Sequence, residues 1–378
     1  MAIACFAKYA VPAEPPANQP FAHPGILHDK DDLQRMRTRV AAGDEPWTSG
    51  FDRLVSDSHS SADWEMQGPR KRVVRDRSRW RAEGNDEMVH DARAAYQNAI
   101  MWTVTGDEKH AEKSIEILNA WGRTLESMGG RDVQLAAGLN GFLLVNAAEI
   151  MHWTYPQWKP EDVEIFQQML LKAIYPPIKD FATFANGNWD AACIKTMLAI
   201  AVFCDDRAIF DRGVDYYLHG SGNGRITHYV INPAGQSQES GRDQQHTQLG
   251  LGCLAEACEV AWHQGVDLYG AEDNRLLRGY EYTAQYNLGN DVPFQEHIDT
   301  TGKYHHTEIA RQGRFRARPV FELALGHYSG RKGLEAPFVG ELVRRNRPEG
   351  RPHIADHPGF GTLLFYRGEP IPIDATDD

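Results

Sequence analysis

From position 29 onward, apolar residues recur at three- and four-residue intervals, the spacing of one helix face. Leu33, Met36 and Val40 form such a stripe behind Asp29, a residue suited to cap a helix start, and Gly43 ends it. Trp47, Phe51, Leu54 and Val55 mark a second helix over residues 45–58. The same spacing predicts helices over 86–105, 107–127, 133–153, 160–175, 188–204, 206–219, 236–265, 271–288, 308–328 and 335–345. Gly106 sits in a tight turn between two of them, and Pro176 and Pro177 stop another because proline cannot continue a helical hydrogen-bond ladder. Strand signals are confined to residues 227–231, inside a short hairpin over 225–233, and to 361–367. The basic stretch 70–81 reads either as a loop over a cleft or as a solvated run of charge.

About a dozen helices with alternating short and longer connections suit a ring of helical hairpins rather than a sheet-based fold. The expectation is all-α: an α/α toroid, an incomplete barrel of about six to seven hairpins with few short strands. No period is strict enough for a solenoid. Residues 1–24, rich in proline from position 11, read as an extended lead-in, and 25–378 as a single toroid domain. A chain of 378 residues can bury a large core.

Composition narrows the partners. A net charge of −12 argues against general nucleic-acid binding, yet it leaves an anionic substrate open, because a site needs only a local basic cluster. Cys193, Cys204, Cys253 and Cys258 read as small apolar helix residues, and the odd total of five cysteines without a CxxC gives no disulfide framework. No apolar run reaches the length expected of a membrane span, and the N-terminus is too interrupted for a signal core. The phosphate-loop, dinucleotide and nucleophile-elbow motifs are missing.

Polar and aromatic residues crowd four junctions where a loop meets a predicted helix. The first is NGNWD, residues 186–190. There Asn188 is either a helix cap or a neutral donor for a substrate carboxylate, and Trp189 offers a stacking face for a sugar ring. The second is 239–246, where Arg242 and His246 fall on one helical face with Glu239 a turn earlier: an acid/base group beside a carboxylate-binding cation. The third, 299–306, carries Tyr304, His305 and His306. A tyrosine there is either a packing residue or a base activated by nearby cations. The fourth holds Arg311, Arg314, Arg316 and Arg318. His246, His305, His306 and Asp243 lack the companion spacing of a zinc site, so no metal is expected.

Four stretches carry a resemblance: FAHPGILHDKDDLQRMR, LAAGLNGFLLVNAAEI, NGNWD and QESGRDQQHTQLGLGCLAEACEVAW. Together they resemble the α/α-toroid polysaccharide lyases that cleave uronic-acid polymers, the alginate and glucuronan lyases, over residues 21 to about 345. The resemblance implies β-elimination at a β-1,4-linked glucuronan or mannuronan, leaving a 4,5-unsaturated uronate end. It implies Asn188, His246, Tyr304, and Arg242 or Arg311 as catalytic, with Trp189, Glu239, Gln245, His305, His306, Arg311 and Arg314 around the substrate. It further implies no cofactor or metal, an anionic polysaccharide as partner without nucleic acid or membrane, a monomer or weak homo-oligomer, and a periplasmic or secreted location. The adjacent Asn-His pair of some alginate lyases is absent, since Trp189 follows Asn188, and no C-terminal β-sandwich fits after residue 345. The alternatives are a glycoside hydrolase on the same ring, using two of Asp190, Asp243 and Glu239, and a glycan-binding protein without activity.

Overall fold

The computed structural model describes residues 19–369 apart from Trp80 and His353, so most of the expected lead-in and Cys5 lie outside the described residues. In chain order the helices are α1 (Lys30–Ala41), α2 (Trp47–Val55), α3 (Asn85–Thr105), α4 (Glu108–Thr124), α5 (Val133–Thr154), α6 (Pro160–Met169), α7 (Tyr175–Ile178) and α8 (Gly187–Phe203). They continue with α9 (Arg207–His219), α10 (Ile226–Tyr229), α11 (Gln244–His263), α12 (Ala271–Asn287), α13 (Phe321–Leu325), α14 (Pro337–Asn346) and α15 (Gly361–Phe365). The short strands are β1 (Arg72–Asp76), β2 (Arg81–Glu83), β3 (Ser127–Gly129), β4 (His297–Ile298) and β5 (His305–His306).

The burial pattern sorts the helices into two layers. α5, α8 and α11 are buried on nearly every side, and α3 along most of its length. α4 instead buries one stripe, Ala111, Ser114, Ile117, Leu118 and Trp121, as a helix covering a core from outside should. The inner helices stand side by side, α3 on α5, α5 on α8, α8 on α11 and α11 on α13. α4, α9 and α12 back onto α3, α8 and α11, while α15 packs on α13 and α2, and α1 on α2 and α3. The circle closes, and the result is an α/α toroid.

Small residues set the register of the inner layer. A Cβ on Gly138 would lie 2.8 Å from the backbone of Ala192, and both residues sit in the second turn of their helices. α5 and α8 therefore run parallel with their starts level. Lys195 Nζ donates to Glu256 Oε2 at 2.6 Å and ties α8 to α11 in the same sense. The N-termini of the inner helices thus share one rim.

Several local expectations change. Within the basic stretch, Arg72–Asp76 form β1 and Arg77–Arg79 a helical turn rather than a loop, since Val73 and Val74 pair with Met128 and Gly129 of β3, and Val74 with Glu83 of β2. The run at 361–367 is the helix α15, packed on Gly50 of α2; a short apolar run fits a buried helix as well as a strand. The 225–233 hairpin is the helical turn α10 followed by a bridge between Val230 and Ser237. Helix 308–328 begins only at Phe321, because Gly313 and Phe315 take positive φ and Pro319 follows them. α11 starts at Gln244, so Glu239 and Arg242 precede it instead of sharing its face. α5 is in fact long and apolar enough to cross a membrane, but 89% of its apolar window is buried inside the ring.

Candidate active site

One buried carboxylate, Glu239, ties the start of α8 to the segment that leads into α11. The first backbone N–H groups of α8 have no intrahelical acceptor. Gly187 N donates to Gln238 Oε1 at 3.0 Å, and Asn188 N donates to Glu239 Oε2 at 3.0 Å. Glu239 also accepts from Asn188 Nδ2 at 2.6 Å, Arg242 Nη1 at 2.7 Å and the Tyr229 hydroxyl at 3.2 Å. Burial pushes the Glu239 carboxyl above its usual range, with Arg242, His246 and the Asn188 amide opposing. This arrangement corrects two expectations. Glu239 is fully buried and braces its neighbours rather than touching substrate. Asn188 is not a cap but lies within α8, also fully buried, with its nitrogen committed to Glu239 and its Oδ1 without a partner.

What the brace presents outward is Arg242 and His246, whose side chains are 29% and 36% exposed. Asp243 caps α11, accepting from His246 N at 2.8 Å and from His246 Nδ1 at 2.6 Å. Nδ1 thus faces the Asp243 carboxylate, and Nε2 points away from it with no partner among the described residues. Burial would raise the Asp243 pKa, but the His246 hydrogen bonds and the Arg242 charge hold it below the usual range.

Tyr304 arrives on a turn that a single carboxylate organises. Asp299 accepts from Asn223 Nδ2 at 2.7 Å, from the backbone N of Thr301, Lys303 and Tyr304 at 3.0–3.1 Å, and from the Thr301 hydroxyl at 2.7 Å. Lys303 Nζ latches the turn to the Phe184 carbonyl at 3.1 Å, next to the half-exposed pair Phe184 and Trp189, which meet edge to face at 6.2 Å. On the return strand β5, His306 packs so tightly on Gly241 that a Cβ there would lie 2.3 Å from the His306 Cβ. Burial and then the Arg242 charge lower the His306 pKa. Ala310 N donates to Ser240 O at 2.9 Å, and Gln244 N to Gln312 O at 2.9 Å. The 299–312 segment thus lies along the start of α11. The half-buried Tyr304 hydroxyl has no hydrogen-bond partner among the described residues.

Three of the four predicted junctions converge, and the fourth does not act as a unit. Arg314 donates to the carbonyls of Tyr286 and Asn290 and lies over the Tyr286 ring, Arg318 is buried on Asp356 at 2.6 Å, and Arg311 and Arg316 are exposed. Gln245 spends its amide on the carbonyls of Gly313 and Arg316, and His305 pairs with Glu296 at 2.5 Å. Gln245, Arg314 and Glu239 are therefore framework, not substrate contacts. Sequence reasoning missed Tyr229, Asn223 and Gln238. One signal was present: at Gly250 a Cβ would fall 2.0 Å from the Tyr229 hydroxyl, so glycine is required there. Two groups with metal-ligand atoms lie in the core, Cys253–Glu256–His357 and Asp29–Asp32–His263. Lys195 already neutralises the first, and Arg35, Arg331 and Arg367 the second.

The rim of this toroid thus carries an arginine and an outward-facing histidine on one segment, with the tyrosine-bearing segment 299–312 laid along it. The chain matches the alginate lyase family over residues 34–294 and belongs to that family. It is a polysaccharide lyase. Its fold is similar to that of alginate lyase A1-III from Sphingomonas species A1, at 15% identity and a TM-score of 0.64 over 89% of this chain and 95% of that one. An alginate lyase from Bacteroides ovatus aligns at 12% identity and a TM-score of 0.62 over 91% and 99%. A Tyr-to-Phe variant of A1-III complexed with tetrasaccharide aligns at 16% identity and 0.64, over 89% and 95%. No curated protein sequence matches the chain.

Proposed function

We propose that the protein cleaves a β-1,4-linked uronan, glucuronan or mannuronan, by syn β-elimination, with Tyr304 as both base and acid. In these two sugars H5 and O4 lie on the same ring face, so one hydroxyl can remove the C5 proton and return a proton to O4. The C5 proton becomes removable once the neighbouring carboxylate is neutralised. Arg242 supplies that charge, and His246, held by Asp243, adds a hydrogen bond to the developing aci-carboxylate. Asn188 and Glu239 act one layer beneath, fixing Arg242 by the 2.7 Å ion pair. Trp189 and Phe184 give a sugar ring an apolar face.

The observation that carries this reading is the Tyr304 hydroxyl, without a hydrogen-bond partner among the described residues and carried on the segment whose His306 packs on Gly241, next to Arg242 in the chain. The hydrolase alternative has less support. Asp190 is buried and accepts from Ala182, Gly224 and Tyr216, Glu239 is buried, and Asp243 is bound to His246. A protein degrading such a polymer works where the polymer is, so we place it in the periplasm or outside the cell. Tyr304→Phe is expected to abolish the ultraviolet absorbance of 4,5-unsaturated ends on glucuronan and polymannuronate while leaving oligosaccharide binding in place. Near-normal product formation in that variant would remove Tyr304 from the mechanism.

A further inference from the structure

A cavity of about 480 Å³ opens among β1, the starts of α3 and α5, and the segment before α15, and it shares no lining residue with the Tyr304, Arg242 and His246 constellation. Its size is within the range of about 300–1,000 Å³ that holds small ligands. Arg75 and Arg77 line it, and neither side chain makes an ion pair or hydrogen bond with any described residue. Burial and then the neighbouring Arg77 charge push the Arg75 pKa down, and the more distant carboxylates of Asp356, Asp132 and Asp86 only partly oppose them.

The buried polar atoms point the same way. Asn140, on the second turn of α5, is 2% exposed, lines the cavity, and has an Nδ2 with no partner. A buried amide nitrogen without an acceptor is rare in a folded protein, because its water is lost and nothing replaces it. Three carboxylates line the wall: Asp76 accepts from the Ser78 hydroxyl at 2.5 Å, and Asp86 and Asp356 act on Arg75 through space without a hydrogen bond to it. Asp356 is engaged by Arg318 at 2.6 Å, and Asp86 by Asn85 at 3.2 Å. Val89 and Leu139 add an apolar wall. Two cations, a buried neutral donor, acceptors near the edge and an apolar wall are the requirements of a sugar that carries a carboxylate.

We propose that this cavity is a second uronate subsite: Arg75 and Arg77 bind the carboxylate of one sugar unit, and Asn140 Nδ2 donates to the same unit. The cavity lies on the rim that also holds the starts of α8 and α11. A polymer chain seated at Tyr304 and continuing across the ring opening would place a later unit in it. The subsite anchors long substrates and leaves the reacting linkage untouched. This inference rests on the uronan reading given above.

The test compares Arg75→Ala, Arg75→Lys and Asn140→Leu with the wild type on polymeric glucuronan and polymannuronate and on their trisaccharides. Asn140→Leu removes the unpartnered donor at nearly constant shape, so it keeps the fold measurable if Arg75→Ala does not. For the polymers, Arg75→Ala and Asn140→Leu are expected to raise KM about tenfold with kcat within twofold, and Arg75→Lys to recover part of the loss. On the trisaccharides, too short to span both places, the parameters stay unchanged. Equal losses on long and short substrates, or no change in polymer KM, would overturn the subsite. Calorimetric titration with a tetrauronate, its carboxyl-reduced analogue and sodium sulfate separates the premises. If wild type forms no unsaturated product yet binds the tetrauronate through Arg75, the lyase mechanism fails and the subsite stands. If wild type cleaves normally and Arg75→Ala is indistinguishable from it, the subsite alone fails. If sulfate and tetrauronate bind alike, the cavity is a general anion site and the sugar assignment falls. If wild type neither cleaves nor binds the tetrauronate, both readings fall.

Discussion

Asp299 shows how one residue can matter to catalysis without touching substrate. Its carboxylate gathers the Tyr304, Lys303 and Thr301 backbone amides, the Thr301 hydroxyl and the Asn223 amide, and so fixes where the tyrosine hydroxyl points. Asp299→Asn keeps the size but turns part of an acceptor into a donor aimed at those same N–H groups. We expect kcat to fall about 10- to 100-fold with little change in KM, since misplacing a reacting group by an ångström has that scale of effect. Steady-state kinetics on polyuronates decide it, and a rise in KM at constant kcat would point to a binding role instead. Residues of this kind show the limit of reading a site from sequence. Polar clusters in the sequence singled out Asn188, Arg242, His246 and Tyr304 as candidates, and the structure brings the segments that carry them together. The same clusters could not separate Glu239, which is buried, from Arg242, which faces outward, because that difference is set by the packing of two chain segments against each other. Gln245 and Arg314 were misread for the same reason: their donors are consumed by carbonyls of distant loops.

At the scale of elements, the inner helices are joined by buried charge as well as by apolar contact. Lys195 of α8 and His357 both bind Glu256 of α11, at 2.6 and 2.7 Å, and Lys195 also donates to the Asp356 carbonyl at 3.1 Å. Burial opposes the ionised form of Glu256, but the Lys195 charge and the hydrogen bonds from His357 and Lys195 hold its pKa below the usual range. Lys195→Met leaves that carboxylate buried with its main counter-ion gone. We expect a loss of about 3–5 kcal/mol in urea unfolding, and a smaller loss in the double variant Lys195→Met/Glu256→Leu, which removes both charges. A single variant as stable as wild type would show that the ion pair adds nothing to the α8–α11 contact. The helices themselves were legible because apolar spacing reports burial directly. Their ends were less so. The polar run 236–243 looked like the first turns of α11, yet Asp243 caps it and the preceding residues serve α8. The 308–320 stretch failed because Gly313 and Pro319 outweigh the apolar spacing around them.

For the whole molecule, the step invisible in sequence is ring closure. Arg35 Nη2 donates to the Leu364 carbonyl at 2.9 Å across a separation of 329 residues, and Arg367 binds Asp32 at 2.5 Å. Around this seam lie His28, stacked on Phe365 at 5.6 Å, and Glu259, bound bidentately by Arg331. Burial lowers the His28 pKa to about 3, with Asp32 opposing and His263 adding to the fall. The unfolded chain takes up this proton near pH 6.5 and the folded one only near 3. His28 therefore stabilises the fold above pH 6.5 and withdraws that contribution as pH falls towards 3, at about 1.4 kcal/mol per pH unit. For Glu259, burial works to raise the pKa, but the Arg331 charge and hydrogen bonds bring it to about 2, so its contribution is present above about pH 4.5 and is lost between there and 2. His263 has the opposite sign: its pKa is raised, against burial, by Asp32 and Glu259, and its contribution fades as pH rises through that raised value. The difference between His28→Gln and wild type isolates the first effect. Between pH 6.5 and 4.5, where Glu259 is still ionised in both states, urea unfolding of His28→Gln should show a slope shallower by about 1.4 kcal/mol per pH unit. Parallel slopes in that window would mean that His28 accepts its proton within the closed ring, and that the seam does not hold it neutral.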